Sequence, residues 1–511
     1  MKTFLEPLKE LKEFNHIREN LTLKNTPIHV SGCIDSQKCH LISGISEGYK
    51  NKIIITYNEL KAKEIYEDYK LYDKDVFLYP AKDIIFYSAD IHGNAITKDR
   101  LTILRRLILN QPTTIITTLD GGMDKLLPLE LLSKRVIYVE EGKNIDLEQM
   151  KKELVNLGYE REGQVNGPGE FAIRGGIIDI FPLTEETPYR IELWDDEIDT
   201  IRSFDVMSQR SIENVEKLGI YPATEVVLND NILTSGLGKI EEEKATYVKK
   251  LRGQLKTEEA HRIEGIIEEF KENIETFGGL IGVESYINYF YDNTVSLFDY
   301  FKNEDTCFFI DEPGRILERG EAIETEFRES MIGRLEKGYI LPGQTDAIYS
   351  FKETLVKLNL KKTILLSTLD YKTNYISVKS RFTLTTKSIN PYNNNFEMLI
   401  KDLVRWKEKG YRVVLLSSSK TRAIRLSEDL REYELSAFYG DILDRILQPG
   451  EIMVTNGNLR RGFEYPLIKL VIISESDIFG GEKKRKKKKK KTYEGKKIQS
   501  FNDLNIGDYV V

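Results

Sequence analysis

Residues 28–39 read IHVSGCIDSQKC, a short apolar strand that runs into a polar loop and then into a helical stretch. The loop, Gly32-Cys33-Ile34-Asp35-Ser36-Gln37-Lys38-Cys39, stands where the phosphate loop GxxxxGK[ST] of an ATPase stands, between a first strand and a first helix. Gly32 and Lys38 hold their places. Gln37 replaces the glycine that lets the backbone curl around phosphates, Cys39 replaces the hydroxyl that binds Mg²⁺, and Asp35 would repel a triphosphate. Downstream, Phe309-Ile310-Asp311-Glu312-Pro313 is an apolar strand ending in two carboxylates, the place of the Mg²⁺-binding and water-activating acids of such enzymes. The two relics fall in the order an ATPase requires. They predict a decayed nucleotide site, with Asp311 and Glu312 left as structural or surface charges.

Around this loop, IHVSGC (28–33), NKIIITYN (51–58), DVFLYP (75–80) and TTIITTL (113–119) alternate with helical stretches such as Glu59 to Tyr72, the rhythm of a parallel sheet covered by helices. From 135 to 225 the texture changes to successive strands and turns after one helix near 146–157, which predicts a separate α+β unit. Residues 236–345 are long, charged and helical around the strand at 307–313, so the chain is expected to return to its first unit and leave 135–225 as an insertion. A second α/β unit is expected at about 375–480, from RVVLLSSS (412–419), the helix Lys420 to Tyr433, EIMVTNG (451–457) and LIKLVIISES (467–476). The fold class is therefore α/β and multidomain, as a chain of 511 residues requires. The amphipathic opening MKTFLEPLKELKEFNHIREN predicts a single helix.

Composition narrows the function classes. No apolar run approaches the ~20 residues of a membrane span and the start is no signal peptide, so a cytoplasmic protein without a membrane partner is expected. Three cysteines without a CxxC pair predict neither a disulfide framework nor a zinc site, and the five histidines support no catalytic triad. No catalytic residue and no metal site are assigned. The run Lys483 to Lys491 holds nine basic residues; taking those away from the net −7 leaves −16, an acidic body better suited to protein partners than to bare DNA. The run itself, within 480–497, reads as a solvated linker, and the apolar end at Val511 reads as a domain cut short. Asn458-Leu459-Arg460-Arg461-Gly462-Phe463 could supply an arginine finger, but an intact phosphate loop is missing opposite it.

One long stretch is specific. Gly167-Pro-Gly-Glu-Phe-Ala-Ile-Arg174-Gly-Gly-Ile-Ile-Asp-Ile-Phe-Pro182, then Pro188-Tyr-Arg190-Ile-Glu-Leu-Trp194-Asp-Asp-Glu-Ile and Ser203-Phe-Asp-Val-Met-Ser-Gln-Arg210, resembles the inserted domain shared by UvrB and the Mfd family of transcription-repair coupling factors. Thr56 to Ala62 and Asn458 to Pro466 resemble helicase motifs of the same group. UvrB itself fits less well, since its phosphate loop is intact and Tyr79 to Arg106 is too short for its DNA-clamping hairpin. The alternative of a UvrB-like excision-repair helicase subunit, binding ATP and DNA, is thus set against a recruiting module; a DNA-binding scaffold is the third possibility.

The resemblance implies degenerate RecA-like, UvrB-like modules: a first unit over 1–125, an inserted UvrA-binding domain over 126–215, a return over 216–350, a second RecA-like unit over 375–480, a basic linker over 481–497 and the start of an RNA polymerase-interacting domain over 498–511. It implies that Arg174, Arg190 and Trp194 contact UvrA, a combination chemically suited to interface hot spots. It further implies that the RNA polymerase β subunit and double-stranded DNA are met by parts beyond residue 511. ATP and Mg²⁺ would then belong to the family's motor, with no cofactor in this chain.

Overall fold

The computed structural model describes residues 2–82, 92–277, 282–372, 375–440 and 445–480; the basic run and the residues after it lie outside the described residues. Four strands open the fold: β1 Ile28–Ser31, β2 Asn51–Thr56, β3 Val76–Tyr79 and β4 Thr113–Thr118. The insertion follows as β5 Ile137–Glu140, β6 Glu160–Arg161, β7 Glu170–Arg174, β8 Ile177–Ile180, β9 Tyr189–Trp194, β10 Glu197–Phe204, β11 Ser211–Asn214 and β12 Lys217–Ile220. After the long helices Asp230–Gly253 and Thr257–Phe277 come β13 Thr306–Asp311, β14 Thr363–Leu366 and β15 Ser380–Thr383. The last unit contains β16 Lys387–Ser388, β17 Arg412–Ser417, β18 Ala437–Tyr439, β19 Ile452–Asn456, β20 Phe463–Tyr465 and β21 Leu470–Ile473.

The first sheet runs β15-β1-β14-β13-β2-β4-β3 and every pairing in it is parallel. It is therefore the α/β sheet that the strand-helix rhythm predicts, with β13 returning to its middle. Such a sheet is buried on both faces, and period-2 alternation divides its side chains. Ile54, Ile116, Phe309 and Ile364 enter one apolar cluster, while Ile53, Ile115, Phe308 and Leu365 enter another. The first cluster also takes in Val414, Leu416, Met453, Leu470 and Ile472 of the last sheet, so one core joins the two units. The last sheet runs β16-β20-β21-β17-β19-β18, parallel among β21, β17, β19 and β18 and antiparallel at β16-β20-β21.

Three expectations need correction. The opening segment is not one helix: a helix at Lys2–Leu5, a 3₁₀ turn at Glu6–Glu10 around Pro7, and a helix at Lys12–Thr22 replace it, since proline fits the first turn of a helix and not its interior. Within 375–480, β15 pairs with β1 and so belongs to the first sheet. Strand β12 pairs antiparallel with β5, so the insertion runs past the 215 implied by the resemblance and agrees with the 135–225 given by the change of texture. Strand β15 is placed by a partner far away in sequence, which local patterning does not reveal.

The insertion forms a six-stranded sheet, β11-β10-β9-β8-β7-β6, with Phe171, Ile178, Ile191 and Ile201 on its covered face. A buried ion cluster rivets it to the first unit. Arg100, fully buried in the helix His92–Ile108, donates from Nε to Glu225 Oε1 at 2.5 Å and from Nη1 to Asp124 Oδ2 at 2.6 Å, and its guanidinium lies 4.2 Å from the Tyr79 ring centroid. Lys82 completes the cluster at 2.7 Å from Glu225, so two cations meet two carboxylates and no buried charge is left unpaired. Burial pushes Glu225 upward, but Arg100 and Lys82 outweigh it and hold the carboxyl at about 2.

Candidate functional site

The loop after β1 lies beside the C-terminal end of β13, where an α/β sheet places its ligand site. Three of its backbone donors are taken: Gly32 N–H donates to the Thr368 carbonyl at 3.2 Å, Cys33 N–H to the Ser367 carbonyl at 3.0 Å, and Ile34 N–H to Gln37 Oε1 at 3.0 Å. Gly32 sits at φ +78°, and a Cβ there would stand 2.0 Å from the Leu384 carbonyl oxygen. Glycine is required here by a close approach of protein backbone. Lys38 Nζ lies 2.6 Å from Asp311 Oδ1 and 2.6 Å from Glu312 Oε1. Thr56 also donates to Asp311, at 2.9 Å, and the Thr368 hydroxyl donates to Glu312 at 2.8 Å. Asp311 is buried and Glu312 half-buried. Burial pulls Lys38 down, but the two carboxylates outweigh it and raise it above its ordinary value.

Gln37, fully buried, donates from Nε2 to the Tyr465 hydroxyl of the second unit at 2.7 Å. That hydroxyl is also 3.1 Å from His40 Nδ1, while His40 Nε2 is 2.8 Å from the Phe4 carbonyl. A carbonyl only accepts, so Nε2 carries the proton and Nδ1 accepts from Tyr465. Burial pulls His40 down to about 4 and keeps it neutral, against the bond to Phe4. Beside it, Ser36 donates to Asp68 Oδ2 at 2.7 Å, Arg460 N–H donates to Asp68 Oδ1 at 2.7 Å, and Arg461 N–H donates to Ser36 Oγ at 3.1 Å. The arginine segment thus meets the loop through its backbone, while its side chains pair with Glu64 and, at 4.0 Å, Asp477. Sequence reasoning missed Tyr465, His40 and Asp68, because their partners lie in other elements. Cys39 is buried, and burial pushes its thiol far up, against any role as a nucleophile. Among the described residues no group of three His, Cys, Asp or Glu side chains could hold a metal ion.

The second set lies on the outer face of the inserted sheet. Arg190, Glu192 and Trp194 alternate along β9 with Ile191 and Leu193, which pack into the core. Trp194 is 82% exposed, so it fills no core site. Arg174 on β7 and Arg190 on β9 do not adjoin: β8 runs between them and presents Asp179 to both. Arg174 Nη2 donates to Asp179 Oδ2 at 2.6 Å, and Arg190 donates to both oxygens at 2.6 and 2.8 Å. Asp179 was legible only as a strand residue. Further along, Glu192 pairs with Arg202 of β10.

Comparison with known proteins finds relatives for this chain. Residues 137–226 match the UvrB interaction domain. The chain is 31% identical over 508 residues to the transcription-repair-coupling factor of Bacillus subtilis strain 168, covering 99% of this chain and 42% of the relative. It is 30% identical over 488 residues to that of Staphylococcus haemolyticus, covering 95% of this chain and 41% of the relative. With that of Staphylococcus aureus strain MRSA252 it shares 28% over 508 residues, 98% of this chain and 42% of the relative. The chain therefore spans about two-fifths of the length of the curated relatives it matches. A strand-loop-helix opening, an inserted sheet that matches the UvrB interaction domain and a likeness that runs along nearly the whole chain agree with one another: over almost its full length this sequence is similar to about two-fifths of the transcription-repair-coupling factors.

Proposed function

We propose that this chain is the recruiting part of a transcription-repair-coupling factor, which binds UvrA through its inserted domain and turns over no nucleotide itself. The observation that carries the reading is the outer face of that domain, where an exposed tryptophan and a half-exposed arginine stand on strands of one six-stranded sheet. Trp and Arg dominate interface hot spots because one offers a large amphipathic area and the other a planar donor fork. The loop at 32–38 supports the second half of the reading. A phosphate loop works by pointing free backbone N–H groups and a free lysine at its ligand; here three N–H groups and Lys38 are spent on the protein's own acceptors. Likeness to coupling factors along 99% of the chain favours this reading over an excision-repair helicase subunit. The motor that uses ATP and Mg²⁺ on double-stranded DNA, and the contact with RNA polymerase, are assigned to the part of the family that this chain does not match, and the setting to the cytoplasm. No described helix is long and apolar enough to cross a membrane. Titrating the full chain with purified UvrA in a calorimeter tests the proposal: a saturable complex is expected, and no heat at micromolar concentrations overturns it.

A further inference from the structure

The charge arrangement on the outer face of the inserted sheet divides labour between the two arginines, and this rests on the UvrA-binding reading above. Asp179 is 1% exposed although it lies on the polar face. A carboxylate at that depth needs partners, and it has two guanidiniums. Arg190 is committed to it: Nε and Nη2 engage both oxygens, Nη2 donates further to Gln209 Oε1 at 3.0 Å, and the guanidinium lies 4.7 Å from the Phe204 ring centroid. Only 15% of the Arg190 side chain is exposed. Gln209 is itself held, its N–H donating to the Asp205 carbonyl at 2.7 Å and its Nε2 to the Val206 carbonyl at 2.8 Å, so its acceptor is aimed. Arg174 differs. It gives Asp179 one bond, from Nη2, and its side chain is 47% exposed, which leaves Nε and Nη1 unengaged. Through β8 it shares a register position with Glu192, two residues before Trp194 on β9.

We infer that Asp179 and Arg190 are positioning residues and that Arg174 is the arginine that meets UvrA, offering one net positive charge to one carboxylate of the partner. Two bare guanidiniums facing one another across β8 would repel, and Asp179 cancels one of them. Its pull on Nη2 fixes the plane of Arg174, and a guanidinium fixed in one plane loses less freedom when it forks onto a carboxylate.

The test is a pair of double-mutant cycles on the full chain, read as affinity for UvrA across a salt series. Arg174→Ala is expected to weaken binding about thirtyfold and to flatten its salt dependence. Asp179→Asn and Arg190→Ala are each expected to weaken binding in the parent chain and to change nothing further once Arg174 is alanine. An equal fold-loss from Arg190→Ala in both backgrounds overturns the inference, since Arg190 would then touch UvrA directly. Should Asp179→Asn melt prematurely, Gln209→Ala, which removes only one acceptor of Arg190, carries the same cycle. A partner-free measurement separates this inference from the functional reading. In chain labelled with ¹⁵N-arginine, the Arg174 and Arg190 side-chain resonances should both move in Asp179→Asn, and unmoved resonances overturn the positioning role. If the parent chain fails to bind UvrA, the functional reading falls, and the assignment of Asp179 stands or falls on the resonances alone.

Discussion

The loop at 32–38 and the outer face of the inserted sheet both gather arginine or lysine against carboxylates, yet one is closed and the other open. At the loop, Lys38 is buried with its charge shared between Asp311 and Glu312, and the neighbouring amide of Gln37 is spent on Tyr465. On the sheet, Asp179 is saturated while Arg174 keeps free donors at the surface. Residue types alone do not distinguish a binding site from a structural weld. What distinguishes them is whether donors remain after the protein's own acceptors are counted.

The sharpest way to break this comparison is Lys38→Met. Removing one partner of a buried ion group leaves the other uncompensated, and a loss of roughly 3–5 kcal/mol in a urea melt is expected. A stability change below about 1 kcal/mol, or ATP turnover in the parent chain that the substitution abolishes, would show that the lysine is free to serve a ligand.

Next in size is a pH effect on the same weld. His40 is held near 4 against an ordinary 6.5, so the folded state binds fewer protons than the unfolded one. Its contribution is complete above 6.5 and is lost as pH falls toward 4, by roughly 3 kcal/mol. Asp68, which burial pushes up to about 6 against the bonds from Arg460 and Ser36, works the other way: its contribution is complete below 3.8 and is lost as pH rises toward 6. Melting His40→Gln and Asp68→Asn between pH 4 and 7 should therefore change the slope in opposite directions. Slopes that change together would refute the assigned protonation.

On the open face, Trp194→Ala should weaken UvrA binding by about 2 kcal/mol while the melting temperature stays within a degree or so of the parent, since an 82% exposed ring leaves no cavity. A large loss of stability would make it a packing residue after all. The smallest effect belongs to Arg460→Ala, whose half-exposed side chain pairs with Glu64 where water screens the charge; below about 1 kcal/mol is expected, because the bond that matters there comes from its backbone N–H. A larger loss would move the weld from backbone to side chain.

Much of this molecule was legible in its sequence. Strands β1, β2 and β4 of the first sheet announce themselves as apolar runs between helices, and β13 reads as a strand wherever it is placed, because both faces of each are buried; β14, between the expected units, went unread. The loop's missing glycine and hydroxyl could be read directly, whereas Arg174, Arg190 and Trp194 were named only by the resemblance. What stayed hidden is pairing at a distance. Strand β15 is only four residues long and its partner β1 lies some 350 positions earlier, while Tyr465 finds Gln37 across 428 residues. Asp179 stands in the sequence between apolar neighbours without any sign of a role, and only the register of β7, β8 and β9 turns it into the hub of two arginines.

The junction between the two sheets has a mechanical consequence. Strand β15 closes the edge of the first sheet at Thr383 and β16 opens the second at Lys387, so three residues form the whole tether. Fully stretched, such a leash reaches no more than about 15 Å. It is not slack either, for Leu384 N–H donates to the Ser31 carbonyl at 2.9 Å and Thr386 donates to the Gly32 carbonyl at 2.5 Å. Any hinge motion that parted the sheets would first have to peel this leash off the very loop where a nucleotide would drive such a motion. A pull applied to one end of the chain therefore reaches the inserted sheet through a stiff body, and the two units should withstand force and protease as one.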